Sequence, residues 1–134
     1  MVEINLEYQG DLRVQAIHGP SQKVLFTDAP VDNHGKGESF SPTDLVATAT
    51  AACMTTIMGI WAKQHQIDLQ NSKVKVIKHM IADPKRRISK LEIQLDMCPG
   101  VDHQYQAALE RVARECPVVL SLHPDIQLDI RFVW

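Results

Sequence analysis

Apolar and polar residues alternate near both ends of the chain, and between them lies one long run almost without charge. Val2, Ile4, Leu6 and Tyr8 alternate with Glu3, Asn5 and Glu7, the two-residue period of a half-buried strand. Gln9-Gly10-Asp11 turns the chain, Leu12 to His18 predicts a second strand, and after Gly19-Pro20-Ser21 the segment Gln22 to Thr27 predicts a third. Ala29 to Ser39 is a polar loop that leads into Ser41 to Gln66, the charge-poor run. Ser41 suits an N-cap, Pro42 the first helical position, and the Asp44 carboxylate can reach back to the N-cap amide. The run predicts a helix of roughly 35 Å, at ~1.5 Å per residue. It is apolar or small almost all the way round, which implies burial on every side.

Beyond the helix, Lys73 to Ala82 and Ile88 to Met97 predict two strands joined by a turn at Asp83-Pro84-Lys85-Arg86. Asp102 caps a second helix through Glu115, with Tyr105, Ala108, Leu109 and Val112 as its apolar stripe. Cys116 precedes Pro117, which excludes it from the helical region and places it at the N-cap of a short helix, Pro117 to Leu122. Ile126, Leu128, Ile130 and Phe132 alternate as a closing strand. The order βββ-α-ββ-α-β is α+β, with mainly antiparallel sheets that need a helix to cover them, in a single domain over residues 1–134.

A net charge of −2 excludes a dedicated nucleic-acid surface, and the short basic run Lys85 to Arg87 reads as a solvated hairpin tip. Leu45 to Ala62 carries no formal charge and approaches the length of a membrane span. Its threonines and Gly59 dilute it, and the rest alternates as a globular chain does, so no membrane partner is expected. No signal or anchor pattern precedes the first strand, and three cysteines do not make a disulfide framework, which points to a reducing cytoplasm. Gly35-Lys36-Gly37 lacks the spacing of a phosphate loop. Asp32, His34 and Glu38 lack the paired spacing of a metal site, so neither metal nor cofactor is expected.

The chemistry rests on two thiols. Cys53 lies near the middle of the long helix, where it could equally be a small core residue. Cys116 sits at a helix N-terminus, where amides and dipole favour a thiolate. Together they suit peroxide reduction, in which one thiolate becomes a sulfenic acid and the other condenses with it. Burial of Cys53 would raise its pKa, so a nearby cation is required, and Arg13 in the second strand is the candidate. Cys98, at a strand end, reads as structural.

SPTDLVATATAACM, followed well downstream by ARECPVVLSL, resembles the osmotically inducible protein C and organic hydroperoxide resistance superfamily. The loop TDAPVDNHGKGESFSPTDL resembles its OsmC-like branch, and the likeness covers essentially the whole chain. It implies an OsmC-like fold, an intertwined homodimer with active sites at the subunit interface, and a thiol peroxidase. The implied substrate is an organic hydroperoxide and the implied reductant a small or lipoyl-type dithiol. By the same resemblance Cys53 is the peroxide-attacking cysteine, Cys116 the resolving cysteine and Arg13 the catalytic arginine. Hydroperoxide reductases of this kind carry a glutamate two residues before the motif's leucine, paired with that arginine. Thr43 stands there, and Asp44 follows, turned by ~100° on a helix. Asp44 therefore need not replace that glutamate; it is a cap and, as the nearest acid, a site candidate. A second reading makes the chain a non-enzymatic module that binds an apolar ligand or senses redox state.

Overall fold

The computed structural model describes residues 1–134. The chain divides into two compact units, Met1–Val46 and Ala47–Trp134, and the long helix begins in the first and continues through the second.

The first unit is a meander of β1 (Ile4–Gly10), β2 (Arg13–His18) and β3 (Val24–Asp28), antiparallel throughout. Asp11 and Leu12, between the first two strands, both have positive φ, the twist that suits a tight hairpin. The register that follows sets Arg13 directly opposite Asp28. The residues this unit buries are polar: Thr27, Asp28 and Ser41. Many of its apolar side chains, including Ile4, Leu6, Tyr8 and Phe26, are exposed, while Val14 and Ile17 are half-buried. The loop that follows is closed by its glycines. Gly35 donates its N–H to Pro30 O, and a Cβ there would stand 1.7 Å from Ala29 O, so only glycine fits. Gly37 bonds Ala29 O at φ +62, and the loop returns Glu38 toward β2.

The long helix, α1 (Pro42–Gln64), begins as its sequence predicts. Ser41 Oγ accepts the Asp44 N–H at 3.1 Å, and the Asp44 carboxylate accepts the Ser41 N–H at 2.8 Å, a reciprocal capping box. It ends in a Schellman motif: Gln66 takes the left-handed conformation at φ 58, Ile67 N–H bonds Ala62 O and Gln66 N–H bonds Lys63 O. Ala47, Thr50, Ala51, Met54, Met58 and Ala62 form one buried face. Burial on every side does not occur within the chain, because Ala49, Ala52, Thr56, Gly59 and Ile60 on the opposite side are exposed. Two threonines suit the apolar setting by bonding their own helix: Thr55 to Ala51 O and Thr56 to Ala52 O. By length and composition α1 could cross a membrane, but here its buried face is part of the protein core.

The second unit is a sheet in the order β4 (Lys73–Ile81), β5 (Arg87–Asp96), β6 (Gln127–Val133). Ile88, Leu91, Ile93 and Leu95 of β5 are buried. Strict alternation breaks between Ile88 and Leu91, and a bulge opposite His79/Met80 absorbs the extra residue and keeps both inward. The pairing of β6 with β5 is parallel, the one departure from an antiparallel pattern. The connection between them is long enough for a crossover, carrying α2 (His103–Arg114) and α3 (Pro117–Ser121). Leu109 and Ala113 of α2 complete this core. Where α1 ends, Trp61 stacks on His65 at 3.7 Å, and Tyr105 of α2 meets the Trp61 ring edge-on.

Candidate active site

Cys53 stands on the flank of α1, between the buried and exposed faces, and is half-buried. One turn on either side of it the helix presents Ala49, exposed, and Ile57, half-buried. Cys116 is fully buried at the N-cap of α3, held extended (φ −66, ψ 148) by the proline that follows. The fold brings these two distant residues together: Cys53 lies near enough to help hold the Cys116 thiol in its neutral form. All three cysteines are free thiols.

The N-cap position predicts a Cys116 thiolate, yet the thiol pKa is raised above its ordinary value. Burial is the main cause. The Val119 and Val118 amides pull downward, but no side-chain cap hydrogen bond forms, and a five-residue helix has a weak dipole. The Cys53 sulfur adds to the rise, since two adjacent thiols resist ionising together. Desolvation therefore outweighs the helix terminus, and Cys116 holds its proton.

Arg13 is gripped by two carboxylates. Its Nε and Nη2 donate to the two oxygens of Asp28 at 2.7 and 2.8 Å, a bidentate pair, and Nη2 also donates to Glu38 at 2.9 Å. Asp28 is only 2% exposed, whereas Glu38 is largely exposed. The Arg13 hydrogen bonds hold the Asp28 carboxyl below its usual range despite desolvation, and Arg13 in turn stays charged. Its Nη1 group makes no hydrogen bond to the protein.

Local bonds hold the remaining positions. Asp44 spends a carboxylate oxygen on the α1 capping box, and Thr43 faces Ser41 Oγ at 3.1 Å. Cys98 donates its thiol to Asp68 O, and its N–H to Ser72 Oγ, tying the β5 end to the loop after α1. Asp28 and Glu38 escaped the sequence reading as partners of Arg13. The signal for Asp28 was available: extending the third strand by one residue past Thr27 sets Asp28 opposite Arg13 in a regular hairpin register. Glu38 had none, because a loop residue's approach depends on how Gly35 and Gly37 fold the chain back.

Residues 35–131 match the model of the OsmC-like protein family, and the chain belongs to that family. It is 46% identical to a protein of Psychrobacter arcticus whose crystal structure carries a provisional description as an osmotic stress induced and detoxification response protein. The two superpose with a TM-score of 0.94 over 99% of this chain and 96% of that one. The fold is shared with an organic hydroperoxide resistance protein OsmC of Legionella pneumophila, at 16% identity, TM-score 0.79, and coverage of 100% and 97%. It is shared also with an organic hydroperoxide resistance protein of Elizabethkingia anophelis, at 17% identity, TM-score 0.75, and coverage of 98% and 94%. No curated protein matches the chain.

The Arg13–Asp28 pair makes a pH-dependent contribution to stability. Because the folded Asp28 pKa is depressed, that contribution is complete above the unfolded carboxyl value, about 3.9, and is lost as pH falls through the folded value. Denaturation midpoints measured from about pH 6 downward should fall in this acid window, and Asp28→Asn should flatten part of the decline. Parallel profiles for the two proteins would show that the pair does not carry this dependence.

Proposed function

We propose that this chain is a cysteine-dependent peroxidase that reduces organic hydroperoxides to alcohols. The observation that carries the reading is the meeting of two free thiols from distant parts of the chain, one half-buried and open to attack, the other fully buried beside it. The Cys53 thiolate attacks the outer peroxide oxygen, breaking the O–O bond and giving a sulfenic acid and an alcohol. Cys116 then attacks the oxidised sulfur, forming the Cys53–Cys116 disulfide and releasing water. A dithiol returns both sulfurs to the reduced state by exchange. The organic hydroperoxide resistance names of two structural relatives agree with this chemistry. A reducing cytoplasm, in which the disulfide exists only between turnovers, suits it as well.

The assembly proposed with this activity is a homodimer. The first unit leaves Ile4, Leu6 and Tyr8 exposed, and α1 leaves one face of small and apolar residues open. A second copy is the cover that this much apolar surface calls for. Arg13 is assigned the activation of Cys53, with Asp28 fixing the guanidinium and Nη1 left to donate.

Three measurements test the proposal. Cys53→Ser should abolish consumption of cumene hydroperoxide, and Cys116→Ser should allow a single turnover that ends in a trapped sulfenic acid; steady-state turnover by Cys53→Ser would overturn the peroxidase. The protein should sediment as a dimer at micromolar concentration, and Ile60→Glu, which places a charge on the open face of α1, should yield monomer or aggregate. A well-folded native monomer would refute the assembly. Arg13→Ala should raise the pH midpoint of Cys53 alkylation by about 1 unit or more, measured in a Cys98→Ser, Cys116→Ser background. Superimposable curves would remove Arg13 from the reaction.

A further inference from the structure

The two half-reactions make opposite demands on protons. Cleavage of the O–O bond releases an alkoxide, a strong base that needs a proton. Resolution needs Cys116 as a thiolate, since only the thiolate is an effective nucleophile. In the reduced protein Cys116 is fully buried, is held as a thiol by desolvation, and has the Cys53 sulfur beside it. It thus keeps a proton beside the sulfur that attacks the peroxide.

Resting on the peroxidase reading, we propose that Cys116 acts twice in each turnover: first as the acid that protonates the departing alkoxide, then, as the thiolate this leaves, as the attacking sulfur that forms the disulfide. In the first step the Cys53 thiolate supplies an electron pair to the outer peroxide oxygen, which keeps its hydrogen. The O–O bond breaks with its pair on the alkoxide oxygen, and the Cys116 proton moves there to complete the alcohol. In the second step the Cys116 thiolate attacks the sulfenic sulfur, and the S–O pair leaves as hydroxide, which solvent protonates. Sulfur loses two electrons and the peroxide gains two. The amides of Val119 and Val118, which cannot hold the thiolate against burial in the resting protein, favour it once it forms. The alkoxide, a far stronger base than a thiolate, removes the proton that burial retains, so the resolving nucleophile appears only after peroxide has been cleaved.

The test exploits the leaving group. A peroxycarboxylic acid expels a carboxylate, which needs no proton to depart, whereas an alkyl hydroperoxide expels an alkoxide. Cys116→Ser nearly preserves the shape and replaces the thiol with a much weaker acid. Sulfenic acid formation at Cys53, followed in single turnovers with a 1,3-dione trap, should slow by about 10²-fold with an alkyl hydroperoxide, the scale of general acid catalysis. With the peroxycarboxylic acid it should change by less than about threefold, as the absence of a proton demand requires. Equal losses with both oxidants, or no loss with either, would overturn the relay while leaving the peroxidase intact. Absence of both sulfenic acid and the Cys53–Cys116 disulfide with either oxidant in the unaltered protein would overturn both. The unaltered protein provides a second measurement should the variant fold poorly: a solvent deuterium isotope effect of about 2 on the first step with the alkyl hydroperoxide and none with the peroxycarboxylic acid. Equal isotope effects would refute the relay.

Discussion

The constraint on which the structure turns is that α1 is apolar or small on opposite sides while its own chain covers only one of them. Met54 and Met58 are buried to within 1% of their surface, and Leu91, Ile93, Leu95 and Leu109 are the other large side chains enclosed to this degree. Each fully buried aliphatic side chain contributes roughly 1.5–3 kcal/mol, enough to fix the helix against a core. The remaining side offers Ala49, Ala52, Thr56, Gly59 and Ile60. Cys53 falls at the boundary between the two sides. That placement leaves it half-buried, beside a thiol that water does not reach.

The sequence conveyed this architecture well where the period of the chain and the chemistry of its ends agree. The strands alternate, the Ser41-Pro42-Asp44 start closes the predicted capping box, and Pro117 ends one helix and starts the next. Less legible were features decided by contacts remote in sequence. Complete burial of α1 is a sound inference from composition, but composition does not say whether the cover comes from the same chain. The parallel β5–β6 pairing follows from where the long connection returns, not from any residue in β6.

The site shows the same division. The two cysteines are legible as chemistry, and the structure adds that they meet. Asp28 and Glu38, the partners of Arg13, are set by strand register and by the fold of the loop. Asp44 is legible as a cap, and its carboxylate bonds its own N-cap amide at 2.8 Å. The acid groups on Arg13 come from the opposite strand and from the glycine-closed loop.

Two competitions between burial and charge, one in each unit, resolve in opposite directions. At Asp28 the desolvation penalty is exceeded because a guanidinium fork meets both carboxylate oxygens directly, so the buried group stays ionised. At Cys116 the opposing influences are two amides at the start of a very short helix, which meet the sulfur without a cap hydrogen bond, so the buried group stays protonated. The difference lies in geometry, since both side chains are nearly inaccessible to water. The ionised pair is fixed by strand register, and the retained proton by exclusion of water from the α3 N-cap.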